Sequence, residues 1–134
     1  MNIEVRYLSK SGNTEKIAKA IAATVGVTPL PITEPLTGGA DILFLGGALY
    51  GFGVADEMKS FIQTLDNVRK VAVFSTTAVA RSAYPQIRRL LTERGIVVME
   101  NEFHCRGGFK FLHKGRPNGS DLKLAREFAR AVGG

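Results

Sequence analysis

The stretch at residues 40–48, A-D-I-L-F-L-G-G-A, constrains the fold more than any other part of the chain. Its apolar run is almost unbroken, whereas a strand with one wet face alternates apolar and polar residues. Successive side chains on a strand point to opposite faces, so such a run needs cover on both. The reading is a parallel strand at the centre of a sheet, with helices above and below it. Parallel neighbours need crossover helices, and the rest of the chain carries that pattern.

Residues 2–8 read as a first strand, with Glu4 and Arg6 on one face as a same-face ion pair near its start. A helix follows at 13–25, where Ile17, Ile21 and Val25 repeat along one side until Gly26 ends it. Residues 27–32 form a short strand that Pro29 and Pro31 confine to a sheet edge, because each removes a ladder donor. After the central strand comes a loop at 49–55, and Asp56 opens a helix whose core face is Met58, Phe61, Ile62 and Leu65. A strand at 71–75, a helix at 82–94 buried through Ile87, Leu90 and Leu91, and a last strand at 96–104 come next. A long loop then leads to a final helix at 120–132, packing through Leu124, Ala125, Phe128 and Val132. Strands alternating with helices throughout predict an α/β fold, a doubly wound five-stranded parallel sheet in three α/β/α layers.

At 134 residues the chain suits one domain, residues 1–134, with a core that needs neither disulfide nor structural metal. Cys105 is the single cysteine, and two histidines without carboxylate or cysteine spacing make no metal cluster, so no metal is expected. No leader pattern and no bilayer-length apolar run are seen, so the expectation is a soluble, cytoplasmic protein without a membrane role. The net charge of +6 favours acidic proteins or anionic ligands as partners. Nucleic acid is not expected, because no helix-turn-helix, zinc-finger or RNA-binding aromatic motif accompanies that charge.

Between the first strand and first helix lies S-K-S-G-N-T, residues 9–14. A helix start leaves backbone N–H groups without partners and carries partial positive charge, so a loop there suits a phosphate. Ser9, Ser11 and Thr14 add hydroxyls, Gly12 admits close approach, and Asn13 and Lys10 complete the candidate set. Lys10 reads equally as a solvated charge. The longer Walker and G-x-G-x-x-G patterns are absent, which points to a simpler phosphate than that of a nucleoside triphosphate or dinucleotide.

This loop, with the L-x-x-G-G-x-x-Y strand and loop behind it, resembles the [ST]-x-[ST]-G-x-T phosphate loop of the flavodoxin family. The resemblance covers nearly the whole chain in element order. It implies the strand order 2-1-3-4-5 and FMN as cofactor, with the flavin ring between the loops after the third and fourth strands. Carried onto this chain, those loops supply Ala48, Leu49, Tyr50, Gly51, Phe52 and Gly53 on one side and Ser75, Thr76, Thr77 and Ala78 on the other. Tyr50 is the stacking candidate and Phe52 its rival, and either is alternatively core. Thr76 and Thr77 either hydrogen-bond the ring edge or cap the strand. The chain lacks the tryptophan of many flavodoxins, and its basic balance departs from their usual acidity.

Cys105 falls at the last strand's end, near the cofactor edge, as a thiol activated by Arg106 or as a small buried filler. The run carrying Arg106, Lys110, Lys114 and Arg116 is a solvated face or a docking patch over the ligand edge. The flavin would carry the chemistry, so no catalytic acid or nucleophile is required. The first expectation is an electron carrier serving a redox partner protein, as a monomer or weak dimer. A small FMN-dependent NAD(P)H:quinone-type reductase and a non-redox binding module on the same fold are the alternatives.

Overall fold

The computed structural model describes residues 1–50, 53–77, 82–106 and 115–133, leaving aside the side chains of Leu49, Tyr50 and Arg106. Its elements in order are β1 (Ile3–Tyr7), α1 (Asn13–Val25), β2 (Pro29–Pro31), β3 (Ala40–Tyr50), β4 (Gly53–Val54), α2 (Asp56–Gln63), β5 (Val68–Thr77), α3 (Tyr84–Glu93), β6 (Val97–Arg106) and α4 (Gly119–Gly133). Five strands pair in parallel in the order β2-β1-β3-β5-β6, and the short β4 folds back antiparallel on the end of β3. With that hairpin strand set aside, the expected order stands. Among the described residues no helix is long and apolar enough to cross a membrane.

The unbroken apolar run of β3 has the cause expected of it. Leu43 and Leu45 face one core with Val71 and Val73 of β5, covered by Met58, Phe61 and Ile62 of α2 and Ile87 and Leu91 of α3. Ile42 and Phe44 face the other, with Phe74, Ile17 and Ile21 of α1, and Ala125 and Phe128 of α4. Two helices therefore cover each face of the central strand. The final helix packs differently from expectation at one residue, since Leu124 is 53% exposed while Ala125 and Phe128 go inward. Leu124 instead borders an open cavity at the start of α4.

Strand ends are the other corrections. Leu49 and Tyr50 continue β3 and pair with Val54 and Gly53, so the connection read as a loop from 49 is largely a hairpin. β5 likewise runs on through Ser75, Thr76 and Thr77. The paired glycines of β3 are strand residues for a packing reason: a Cβ on Gly46 would stand 2.0 Å from the Phe74 ring of the next strand. Only glycine leaves room for that ring against the strand.

Glu4 and Arg6 do form a pair, at 2.9 Å, but Arg6 lies toward the end of β1 rather than its start. It is buried, and it donates from Nε to the Glu34 carbonyl at 2.8 Å and from Nη2 to the Pro35 carbonyl at 3.3 Å. A guanidinium with most of its donors satisfied tolerates such burial, and here it fastens the segment after edge strand β2. Arg94, at the end of α3, works similarly on α2 by donating to the carbonyls of Ile62 and Leu65 at 2.8 and 2.9 Å.

Candidate functional site

The carboxyl ends of the parallel strands form one edge of the sheet, where ligands of doubly wound folds bind at the point of reversed strand order. Here β1 lies between β2 and β3, so the reversal falls between β1 and β3. Leu8 extends the ladder by donating to the Gly46 carbonyl at 3.0 Å, and the chain then turns into α1. Ser9 is half-buried, and its Oγ accepts the Gly12 N–H at 3.0 Å, which closes the turn. Gly12 has φ +89, a left-handed conformation that disfavours any side chain, and it opens α1 without a side-chain cap. Lys10 and Ser11 are exposed, and Lys10 lies 3.8 Å from Glu57 across a solvent-exposed ion pair. Asn13 begins the helix and Thr14 follows it.

Thr14 is only 1% exposed, and its Oγ1 lies 2.8 Å from that of Thr76, itself buried at the end of β5. This hydroxyl therefore faces the sheet. The turn at 9–14 is stitched to β5 by a side-chain bond that spans 62 residues of sequence.

The second group of candidates is split by the structure. Ala48, Leu49 and Tyr50 end β3 and Gly53 starts β4, while Gly51, Phe52, Ala78 and the side chains of Leu49 and Tyr50 lie outside the described residues. The stacking role of Tyr50 or Phe52 thus falls outside them too. Gln86 of α3 holds the hairpin, because its Oε1 accepts the Val54 N–H at 3.1 Å and sits 3.0 Å from where a Cβ on Gly53 would be. Ser75 is fully buried, with Oγ 3.3 Å from Ser82 Oγ, which also accepts the Tyr84 N–H at 3.0 Å. This contact ties β5 to the residues that lead into α3. Thr77 is buried as the last residue of β5. Gln86 carries no signal in the sequence, whereas Ser82, where the sequence reading starts the helix, lies two residues before Tyr84-Pro85.

Beyond β5, a cavity of about 260 Å³ opens between the end of β6 and the start of α4, lined by Thr77, His104, Cys105, Arg116, Asp121 and Leu124 among others. Cys105 is 8% exposed and packs in the core shared with α4. Burial, reinforced by the negative charge of Asp121, pushes its thiol up to about 12, and nearby Arg116 offsets this only in part. Of the two readings of Cys105, the buried filler fits a sulfur so enclosed and so held protonated. Arg116 binds Asp121 through two nitrogens, with Nη2–Oδ1 at 2.6 Å. That hydrogen bond holds the Asp121 carboxyl below its ordinary range despite burial. Asp121 also accepts the Asn118 N–H at 2.8 Å, and Asn118 Oδ1 accepts the Asp121 N–H at 3.1 Å. One cation of the basic run is thereby neutralised inside the fold. Lys110, Lys114 and the side chain of Arg106 lie outside the described residues.

Comparison with known proteins bears on the whole chain. Residues 5–108 match the family model described as a flavodoxin domain. An uncharacterised protein of Methanocaldococcus jannaschii is 29% identical, over 90% of this chain and 89% of its own. Among solved structures, a flavodoxin from the domain Archaea superposes with a TM-score of 0.84 at 21% identity, covering 99% of this chain and 96% of that one. Oxidised flavodoxin 2 from Bacillus cereus follows at a TM-score of 0.73 and 25% identity, covering 98% of this chain and 97% of that one.

Proposed function

The chain belongs to the flavodoxin domain family, and on that premise we propose that it binds FMN and carries electrons between redox proteins in the cytoplasm. The observation that carries this reading is the start of α1, a helix opened by Gly12 at φ +89 with no side-chain cap, at the strand-order reversal. The residues fit a phosphate group. Apart from its chain neighbours, no described residue comes within 4 Å of where a Cβ on Gly12 would stand, which leaves room for an anion beside this turn. Exposed Ser11 and half-buried Ser9 border the same turn.

FMN, when bound, supplies one- and two-electron chemistry that no side chain here offers. The chain's own part is to hold the phosphate at α1 and to shelter the ring between the segments after β3 and β5. Gln86 and the Ser75–Ser82 contact support those segments from α3 and from its approach. The net charge of +6 favours an acidic redox partner.

Titration of the apoprotein with FMN and with riboflavin tests the reading. Two charge-assisted hydrogen bonds to phosphate are worth about 3 kcal/mol, so riboflavin should bind roughly 100-fold more weakly. Equal affinities would sink the phosphate assignment, and no binding of either would sink the flavin reading. A small FMN-dependent reductase is the second reading, favoured by the cavity of about 260 Å³ beside Thr77. Its volume is near the lower end of ligand pockets, roughly 300–1,000 Å³. NAD(P)H consumption with a quinone, by the FMN-loaded protein alone, separates it from a carrier.

A further inference from the structure

We propose that Thr76 is a positioning residue for the cofactor phosphate, acting through Thr14 rather than on the flavin ring. The inference rests on the FMN reading and deepens it. Phe74 and Thr76 are two residues apart on β5 and so share a face, the one that α1 covers with Ile17 and Ala18. At that spot Thr14 and Thr76 are 1% and 3% exposed, and their hydroxyls meet at 2.8 Å. Water does not compete for a bond so enclosed, and an unpaired hydroxyl there would be costly, so the contact is held.

Its placement gives it leverage. Thr14 is the second residue of α1, in the turn that a phosphate at this helix start would meet. The glycine that opens the helix is backbone without a side-chain cap, and it fixes little by itself. A bond from the first turn to a central strand sets where that turn stands. β5 is held on both sides, Thr76 being in register with Ala48 of β3 and Cys105 of β6, so the anchor is rigid. Donors fixed before the ligand arrives spare it the cost of ordering them.

Thr76→Val removes the hydroxyl and keeps the shape, and Thr76→Ala removes it without placing a methyl against Thr14. Both should weaken FMN about three- to tenfold and leave riboflavin unchanged, while Thr76→Ser keeps wild-type affinity for both. Thr14→Val should match them, and the Thr14→Val/Thr76→Val double variant should be no worse than either single, because all remove one bond. A purely structural bond predicts otherwise, loosening both flavins together; a lower melting temperature follows under either reading and decides nothing. Unchanged FMN affinity in the hydroxyl-free Thr76 variants, parallel loss of both flavins, or additive losses in the double variant would each overturn the proposal. Wild-type protein that binds FMN no better than riboflavin would overturn the phosphate reading beneath it.

Discussion

Helices α1 and α4 both begin after the carboxyl end of a parallel strand, and their first turns are built in opposite ways. α4 is closed by its own residues: Asn118 and Asp121 cap each other's backbone N–H, and Arg116 neutralises the carboxylate. α1 opens on a glycine without a side-chain cap, and Glu15, the acid of its first turn, is drawn aside as acceptor of the Tyr7 hydroxyl at 3.2 Å and ion-pair partner of Lys19 at 3.4 Å. Tyr7 answers with a raised pKa, chiefly through burial and then through that bond. Every helix start carries the same dipole and the same orphan donors. The difference teaches that an anion site depends on whether the chain's own carboxylate has already taken those donors.

The strongest way to break the comparison is to make α1 resemble α4. Gly12→Asp puts a carboxylate at the open helix start, in a conformation that aspartate tolerates better than most residues. At about 5 Å and an effective dielectric of about 20, one like charge costs on the order of 3 kcal/mol before screening. FMN affinity should fall roughly 30- to 100-fold with the fold intact by circular dichroism. Retained affinity would place the phosphate elsewhere.

The reverse change opens α4. Asp121→Ala should destabilise the protein by about 1–2 kcal/mol, the cost of a lost cap, and leave FMN affinity within twofold. Its pH dependence has a defined sign. Asp121 is held below its usual range in the fold, so its contribution is present above the unfolded value of about 3.9 and is lost as pH falls through the folded value. Asp121→Asn should therefore flatten the acid limb of a urea-melt series below about pH 4, where the wild type keeps losing stability. An identical slope in both proteins would show that the Arg116 pair contributes nothing.

The finest probe stays within the α1 turn. Ser11 is exposed, so Ser11→Ala should weaken FMN by about 1.5 kcal/mol without moving the apoprotein melt. Wild-type affinity would mean that backbone donors suffice.

Local chemistry made α1 legible in the sequence, down to Gly12 before it and Gly26 after it. β3 was legible through Ala48 but not to its end, because glycines at 51 and 53 look like loop punctuation until Leu49 is seen paired with Val54. The phosphate turn could be read as hydroxyl-rich, but not which hydroxyl turns inward. That depends on Thr76, and a bond across 62 residues leaves no local trace. Leu124 misled because it lies on the apolar stripe of α4, yet it borders an open cavity rather than the packed core. For Cys105, the sequence offered an activated thiol and a buried filler side by side, and the core around the sulfur decides between them.

The contact between Gly46 and Phe74 restricts how this chain can evolve. A methyl at 46 would stand 2.0 Å from the ring, so alanine is accessible only after the phenylalanine has gone. A phenylalanine lost first leaves a hollow in the core that Ile17, Ile42 and Phe128 share, at about 3–5 kcal/mol. Either order of two single steps crosses a valley as deep as much of a small domain's stability. The two positions are thus locked as a pair, and descendants of this sequence should keep both residues or change both at once.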